Sequence, residues 1–335
     1  MRLLAFIIQP TVGYWADRYQ SRVFIFVGLL LPVIFIPLSG IAPNFWMLLL
    51  CVALGSVGSS MFHPSVTGMV PLYAGTKASF SMSIFNTGGT LAFGLGPLFI
   101  TWYVAIFGLT AMPATMIVGL IVLCYLLTVI PNPQTEGLNR SGFLGALKES
   151  LGNVWKIIAL IWLVMFFRAV VGQSFLTFMP VLFVQKGFSV VSAGTIYAIF
   201  LVTGTLSGLL SGYMSDRFGF KPVFIFTFLF MAPALWLLLQ LNGNWIYLGA
   251  ALAGGFVLAP LPLGVTMAQT LAPKGRSMVA SLMMGFAYGL GGVISPVVGW
   301  LADTFAIQSV LTFMAFIPLL AIPIIARFPR TRSNS

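Results

Sequence analysis

Long apolar segments follow one another along almost the whole chain, with short polar stretches between them. A helix needs about 20 apolar residues to cross the roughly 30 Å hydrocarbon core of a bilayer. Segments of this length predict ten membrane-spanning helices, at residues 22–42, 45–70, 78–105, 110–131, 155–184, 190–212, 222–241, 244–270, 277–302 and 306–326. A shorter apolar piece at 3–15 predicts one partial span. We therefore expect an all-α membrane protein.

A polar motif follows the partial span and recurs in the second part of the chain. It has the form Gly-x-x-x-Asp-Arg-x-x-x-Arg/Lys, and its second copy begins 199 positions after the first (212 minus 13). The residues that define the two copies are Gly13, Asp17, Arg18 and Arg22, then Gly212, Asp216, Arg217 and Lys221. The same offset relates Pro97 to Pro296, which predicts matched helix kinks that act in gating. An internal duplication of this kind is typical of transporters.

The duplication predicts two pseudo-symmetric helical halves. We assign residues 1–131 to an N-terminal half, 132–154 to a cytoplasmic linker, 155–327 to a C-terminal half and 328–335 to a cytoplasmic tail. Two long apolar segments precede the second motif, whereas only 12 residues precede Gly13. We expect the N-terminal half to lack one whole span and the start of the next, roughly 45 to 50 residues. It would then hold helices 2–6 of a usual six.

Basic residues gather on one side of the predicted spans. Thirteen of the 16 Lys and Arg residues lie there: Arg18, Arg22, Lys77, Arg140, Lys148, Lys156, Arg217, Lys221, Lys274, Arg276, Arg327, Arg330 and Arg332. An excess of basic residues marks the cytoplasmic side of a membrane protein. We expect a multi-pass protein of a cell membrane, the bacterial inner or plasma membrane, with a cytoplasmic C-terminus.

The composition excludes a soluble protein, because 59% of the residues are hydrophobic and only 6% are charged. In a membrane protein the net charge of +11 indicates topology, so we expect no nucleic-acid partner. Cys51 and Cys124 lie in apolar runs and are predicted packing residues. We recognise no paired carboxylates, metal-ligand cluster, activated nucleophile or nucleotide motif. An enzyme, a metal site and a cofactor are therefore not expected.

The repeated motif resembles that of the major facilitator superfamily, whose two six-helix halves each carry it in a cytoplasmic loop. Narrower similarity is to the fosmidomycin resistance protein family of exporters. It is carried by residues 58–64 (GSSMFHP), 83–89 (SIFNTGG), 94–97 (GLGP), 273–276 (PKGR) and 285–292 (GFAYGLGG). The resemblance implies the major facilitator fold, with about ten full helices and one partial helix, and the first of the usual twelve missing.

We predict a secondary active transporter of small molecules that works by alternating access. The resemblance implies proton-coupled efflux of drug-like compounds, as in an antiporter that confers antibiotic resistance. Two alternatives stay open: a transporter of small anionic metabolites, and a truncated remnant that does not transport. The expected partners are a small-molecule substrate, the lipid bilayer and protons as the coupling ion, and we expect a monomer.

The two motif carboxylates suggest a gate. Asp17 and Asp216, each just past a helix and followed by cations, can pair with charges or with exposed helix termini of the other half in one conformation and release them in another. The alternative is that the cations only enforce the membrane topology. Retention of the acid and of the glycine in both copies favours the gate.

Arg168 lies near the middle of a predicted span, where a charge facing lipid is costly. It either attracts an anionic substrate group or a coupling carboxylate, or forms a structural ion pair. Asn86 and Gln173 are polar groups of the spans that either bind substrate or hold helices together. Gly204 and Gly208, spaced four residues apart, predict close helix packing.

His63 is the only histidine, and Pro64 follows it within a span. None of the five acidic residues lies deep in a predicted span, so the imidazole is the membrane group expected to titrate at physiological pH. His63 is therefore a candidate for coupling transport to protons. The alternative is a hydrogen-bonded packing residue beside a proline kink.

Overall fold

The structure, a computed structural model, describes residues 2–19, 21–131 and 142–330. Nearly all of these residues are helical, and there is no β-strand among them. The apolar runs account for this, because a helix satisfies its own backbone hydrogen bonds within the bilayer. The predicted all-α fold is confirmed.

Six α-helices cover the described residues up to 151. They are α1 (Arg2–Arg18), α2 (Ser21–Leu38), α3 (Phe45–Tyr73), α4 (Ala78–Phe107), α5 (Met116–Val129) and α6 (Gly142–Leu151). Short 3₁₀ segments follow α2, precede α5 and follow α6, at Ser39–Ile41, Leu109–Thr115 and Gly152–Val154.

The remaining helices run from residue 155 to residue 325. They are α7 (Trp155–Gln185), α8 (Val190–Phe218), α9 (Phe220–Gln240), α10 (Trp245–Leu258), α11 (Pro260–Leu271), α12 (Arg276–Ser281), α13 (Ala287–Phe305), α14 (Ile307–Phe316) and α15 (Ile322–Ile325). A π-helical segment, Leu282–Phe286, joins α12 to α13, and a 3₁₀ segment, Ile317–Ala321, joins α14 to α15.

Ten helical stretches in the described part of the chain are long and apolar enough to cross a membrane, which confirms the predicted number. Most of them begin and end within a few residues of the predicted spans. The span predicted at 155–184 differs most, because the helical stretch runs from Gly142 to Gln185. There α6 leads through a 3₁₀ turn directly into α7. The partial span predicted at 3–15 forms α1.

Residue contacts divide the chain into two compact units, and each contains one segment from the other sequence half. Unit 1 comprises Met1–Tyr73, Leu95–Asn153 and Ala272–Gly289. Unit 2 comprises Ala74–Gly94, Val154–Leu271 and Leu290–Ser335. The domain boundaries drawn from the sequence stay a prediction, and residues 132–141 of the predicted linker lie outside the described residues.

In unit 1, glycines allow α2 and α3 to approach closely. A Cβ at Gly28 would lie 2.6 Å from the backbone nitrogen of Phe62, and one at Gly58 would lie 2.7 Å from Cβ of Leu31. Small residues serve this purpose in membrane helices, where association depends on close packing. Helix α1 packs against α3 and against α12.

In unit 2, α8 and α10 make a similar close approach. A Cβ at Gly204 would lie 2.7 Å from the carbonyl oxygen of Gly254. Among the described residues nothing comes within 4 Å of a Cβ built at Gly208. Of the two glycines, Gly204 is therefore the one at which α8 packs closely against α10.

The irregular point of the helical stretch from Arg276 to Phe305 is the π segment Leu282–Phe286. Such segments are rare and are frequently found at functional sites. The predicted kink residue Pro296 lies further along, inside α13. Position 97 lies within α4, but the side chain of Pro97 is outside the described set. Their gating role stays a prediction.

Candidate functional site

The carboxylate of Asp17 caps the start of α12. Asp17 lies in the last turn of α1, and only 4% of it is exposed. Its two oxygens accept hydrogen bonds from the backbone N–H groups of Ser277 (2.9 Å) and Met278 (2.8 Å), the second and third residues of α12. N–H groups at a helix start have no partner within their own helix, and the helix dipole favours a negative charge there. Asp17 is therefore an N-cap supplied by another helix.

Asp216 caps the start of α4 in the same way. It lies half-buried in the last turn of α8. Its oxygens accept hydrogen bonds from the backbone N–H groups of Ser79 (3.1 Å) and Phe80 (3.0 Å), again the second and third residues of the helix. The sequence left charges and exposed helix termini open as partners of the motif aspartates. The hydrogen bonds of Asp17 and Asp216 described here are with helix termini.

The glycine four residues before each aspartate lets the capped helix come close. A Cβ at Gly13 would lie 2.7 Å from the carbonyl oxygen of Ser277, and one at Gly212 would lie 2.7 Å from that of Ser79. Both distances are well below van der Waals contact. A side chain at either position would force the aspartate away from the amides that it caps.

The last basic residue of each motif bonds to the end of another helix. Arg22 donates from Nη2 to the carbonyl of Leu127 in α5, at 2.5 Å. Lys221 donates from Nζ to the carbonyl of Ala326, directly after α15, also at 2.5 Å. The acceptors are 199 positions apart (326 minus 127), as are the donors. Basic side chains commonly satisfy the carbonyls that a helix end leaves unpaired.

Arg18 and Arg217, equivalent in the repeat, have different surroundings. Arg18 is half-buried, donates from Nη1 to the hydroxyl of Tyr14 and lies 5.4 Å from the ring centroid of Tyr19. Arg217 is exposed, and its guanidinium lies 5.5 Å from the ring centroid of Phe218. The first cation is thus held within its own motif, whereas the second faces outward.

Helix α6 packs directly on the first motif. Tyr14, Ala146 and Met278 are each at most 4% exposed and form a small buried cluster, flanked by Phe143 and Leu147. The rings of Tyr14 and Phe143 meet edge to face, with centroids 5.8 Å apart. Helix α6 lies within the segment that the sequence assigns to the linker, and its contact with the capped start of α12 was not predicted.

Arg168 is deeply buried in α7, with 2% of its surface exposed. Its Nε donates to the carbonyl of Val257 in α10 at 2.8 Å. The bond lies next to the break between α10 and α11. Whether Arg168 binds an anionic group or has a structural role stays a prediction.

His63 lies in α3 next to Phe62, whose ring it meets edge to face at 5.6 Å. Its carbonyl accepts a hydrogen bond from the hydroxyl of Thr67 at 2.5 Å, and the same hydroxyl lies 3.6 Å from Sδ of Met284 in the π segment. The turn of α3 that begins at His63 therefore contacts the irregular part of the neighbouring helix. Its role in proton coupling stays a prediction.

Asn86 and Gln173 form hydrogen bonds within their own helices. Asn86 donates to the carbonyl of Met82 at 2.9 Å, and Gln173 donates to the hydroxyl of Thr177 at 2.7 Å. Both side chains are half-buried. Their role in substrate binding stays a prediction. Within residues 2–19, 21–131 and 142–330 no group of three or more His, Cys, Asp and Glu side chains is placed to hold a metal ion.

Comparison with known sequences gives one consistent match. The sequence model of the Major Facilitator Superfamily matches residues 3–209 and, separately, residues 161–335. The fosmidomycin resistance protein of Escherichia coli (strain K12) is 26% identical over 325 residues, covering 95% of this chain and 80% of that protein. The uncharacterized MFS-type transporter YfnC of Bacillus subtilis (strain 168) is 27% identical over 333 residues, covering 96% and 80%.

Solved structures with the same fold are transporters. The Escherichia coli fucose:proton symporter FucP superimposes with a TM-score of 0.80 at 13% identity, covering 98% of this chain and 89% of that chain. The human organic anion transporter MFSD10 gives a TM-score of 0.79 at 18% identity, covering 97% and 81%. At such identities the similarity establishes the fold.

Proposed function

Because this chain belongs to the Major Facilitator Superfamily, a family of membrane transporters, we propose that it moves small molecules across a cell membrane by alternating access. The ten apolar helical stretches among its described residues make it a multi-pass membrane protein. The two caps, Asp17 on α12 and Asp216 on α4, then act as a latch that holds one conformation.

The observation that carries this proposal is that each copy of the motif supplies the same kind of cap to the second and third residues of a helix. In each case a motif carboxylate of one sequence half accepts from the second and third N–H groups of a helix of the other half. If the motif only fixed the membrane topology through its basic residues, it would need no buried acid and no glycine against the capped helix. The doubled contact supports a mechanical role.

The energy of the caps suits a reversible latch. An N-cap side chain contributes about 1 kcal/mol, within a range of about 0.5 to 2 kcal/mol. Two caps together contribute a few kcal/mol, and each 1.4 kcal/mol changes a population about tenfold. Such a contribution biases the conformational equilibrium without fixing it, provided that the caps exist in only one state.

We place the latch on the cytoplasmic side, because the basic residues of both motifs and of the C-terminal end gather there. For the direction of transport we favour efflux of drug-like compounds, which rests on the similarity to the fosmidomycin resistance protein. Proton coupling is part of the same proposal, and His63 is the candidate group for it.

Transport of small anionic metabolites is the second candidate function. The argument for it was that Arg168 could attract an anionic substrate group. Burial of Arg168 and its bond to the carbonyl of Val257 support a structural role for the guanidinium instead. The anionic class therefore needs another site, and we rank it below efflux.

Transport by the purified protein in sealed vesicles tests the proposal. We expect an imposed pH gradient to drive movement of fosmidomycin or of a cationic dye, and no movement of a dicarboxylate. Asp17→Asn and Asp216→Asn should each slow transport about tenfold, since the NH2 group of asparagine cannot accept a hydrogen bond and leaves one of the two capped N–H groups without its acceptor.

Asp303→Asn is the matched control. Asp303 is an exposed acid in the last turn of α13, and it caps neither α4 nor α12. Transport equal to that of the unmodified protein is expected. If the three variants behave alike, the caps are not a latch. If the unmodified chain moves none of the compounds, the non-transporting alternative gains support.

A further inference from the structure

A crevice lies among α8, α9 and α10 of unit 2, with a volume of about 220 Å³. Leu210 and Met214 of α8, Phe226 of α9, and Leu252 and Phe256 of α10 supply most of its apolar walls. Small residues at other lining positions, including Gly255, make the room. The space is large enough for a segment of a hydrocarbon chain.

Two of the three hydroxyl side chains that line the crevice are already engaged in hydrogen bonds. The hydroxyl of Ser211 donates to the carbonyl of Ala259 at 2.6 Å, and that of Thr227 donates to the carbonyl of Val223 at 2.9 Å. A cavity needs several unsatisfied polar groups to hold ordered water, whereas an apolar cavity takes apolar ligands. The lining therefore selects a hydrocarbon group.

The crevice opens on an apolar surface. Leu210 is 59% exposed, Phe226 is 52% exposed and Leu252 is 39% exposed. All three lie on helices that are long and apolar enough to cross the membrane. In a membrane protein such a surface contacts lipid, so bilayer lipids have direct access to the crevice.

A cation stands beyond one end of the crevice. Arg217 follows Leu210 by seven residues on α8, which places it on the same helix face and about 10 Å further along the axis. Its side chain is exposed at the end that carries the motif. A phospholipid has its phosphate above its acyl chains, so an apolar crevice beneath an outward cation matches one lipid molecule.

The first repeat carries different groups at two equivalent positions. Trp15 is the equivalent of Met214 at the offset of 199, so a large ring stands where the second repeat has a flexible thioether. Arg18, the equivalent of Arg217, donates to the hydroxyl of Tyr14. The apolar space and the outward cation thus occur together in the second repeat.

We propose that the crevice binds one acyl chain of an anionic phospholipid of the cytoplasmic leaflet, with Arg217 pairing to its phosphate. The proposal does not depend on what the protein carries. Lipid retention therefore tests it independently of transport.

Native mass spectrometry of the protein purified from vesicles of equal phosphatidylglycerol and phosphatidylcholine content tests the proposal. We expect the unmodified protein to retain phosphatidylglycerol preferentially. Arg217→Gln should lower the ratio of retained phosphatidylglycerol to phosphatidylcholine about fivefold, the usual contribution of one basic residue near an anionic lipid. Met214→Trp should fill the crevice and lower retention of both lipids.

Two controls separate the site from general surface effects. Leu206→Trp adds the same ring to an exposed position of α8 that does not line the crevice, and Arg327→Gln removes an exposed cation elsewhere. Both should retain lipid as the unmodified protein does. Equal retention in Met214→Trp and Leu206→Trp, or equal lipid ratios in Arg217→Gln and Arg327→Gln, overturns the proposal. If Met214→Trp does not fold, the two arginine variants decide.

Discussion

Each motif aspartate accepts two hydrogen bonds, one on each carboxylate oxygen, from two amides at the start of another helix. The neighbouring cations have other partners. Arg22 and Lys221 bond to carbonyls at the ends of helices, and Arg18 bonds to Tyr14. The acid of each motif therefore binds amides at the start of a helix, and its last basic residue binds a carbonyl at the end of a helix. These are the two ends at which a helix leaves amides and carbonyls unpaired.

Gly212→Ala should destabilise the protein by about 1 to 3 kcal/mol, because its Cβ would overlap the start of α4. Gly208→Ala, one turn earlier on α8, is the matched control, since nothing described lies within 4 Å of a Cβ there. It should be neutral or stabilising by up to about 1 kcal/mol, the helix preference of alanine over glycine. Thermal unfolding in detergent measures both. Equal melting temperatures would contradict the close contact assigned to Gly212.

Arg168→Leu should lower stability by about 1.5 to 3 kcal/mol, because it removes a buried charged donor from the carbonyl of Val257. Arg168→Lys keeps the charge but loses the guanidinium geometry, and it should lower the melting temperature as well. Neither should change which compounds are transported. Loss of anion transport in the leucine variant alone, with unchanged melting temperatures, would instead support a substrate role.

At the level of residues, the sequence identified the motif but not its partners. The duplication singled out Asp17 and Asp216, and position near a helix end suggested helix termini or charges as their targets. The actual target of Asp17 is 260 positions away, and spacing along the chain carries no information about such a contact. The bond of Arg18 to Tyr14 likewise depends on side-chain orientation.

At the level of elements, hydropathy was sufficient to predict the number and approximate bounds of the membrane-spanning helices. Ten spans were predicted and ten are present in the described part of the chain, because about 20 apolar residues are a strong local signal. The π segment Leu282–Phe286 was not predicted. Its single wide turn has no sequence signature comparable to that of a proline. The sequence therefore predicted a kink at Pro296 instead.

The packing of α6 on Tyr14 and Met278 was not predicted from the sequence. Ala146→Asp would place a charge in the cluster with Tyr14 and Met278, so we expect α6 to detach and its amides to exchange hydrogen much faster. Leu144→Asp is the control, because Leu144 is 76% exposed on the same helix. Hydrogen exchange in detergent measures both. Equal protection of α6 in the two variants would contradict the docking.

At the level of the whole molecule, the duplicated sequence forms duplicated contacts. The aspartate caps, the glycine contacts and the bonds to helix ends occur once in each copy. Each compact unit includes one segment of the other sequence half, and these segments contain the capped helix starts. The same residues that mark membership of the family therefore join the two halves of the sequence.

The most direct test of the latch is the distance between spin labels placed at Tyr73 and Lys274, in protein whose native cysteines have been replaced. Both positions are exposed: Tyr73 is the last residue of α3, and Lys274 lies two residues before α12, whose start Asp17 caps. Asp17→Asn should increase the population with a long distance about tenfold, because asparagine leaves one of the two capped N–H groups without an acceptor, at a cost of about 1 to 3 kcal/mol. Asp303→Asn should leave the distribution unchanged. The same distribution in both variants would contradict the latch.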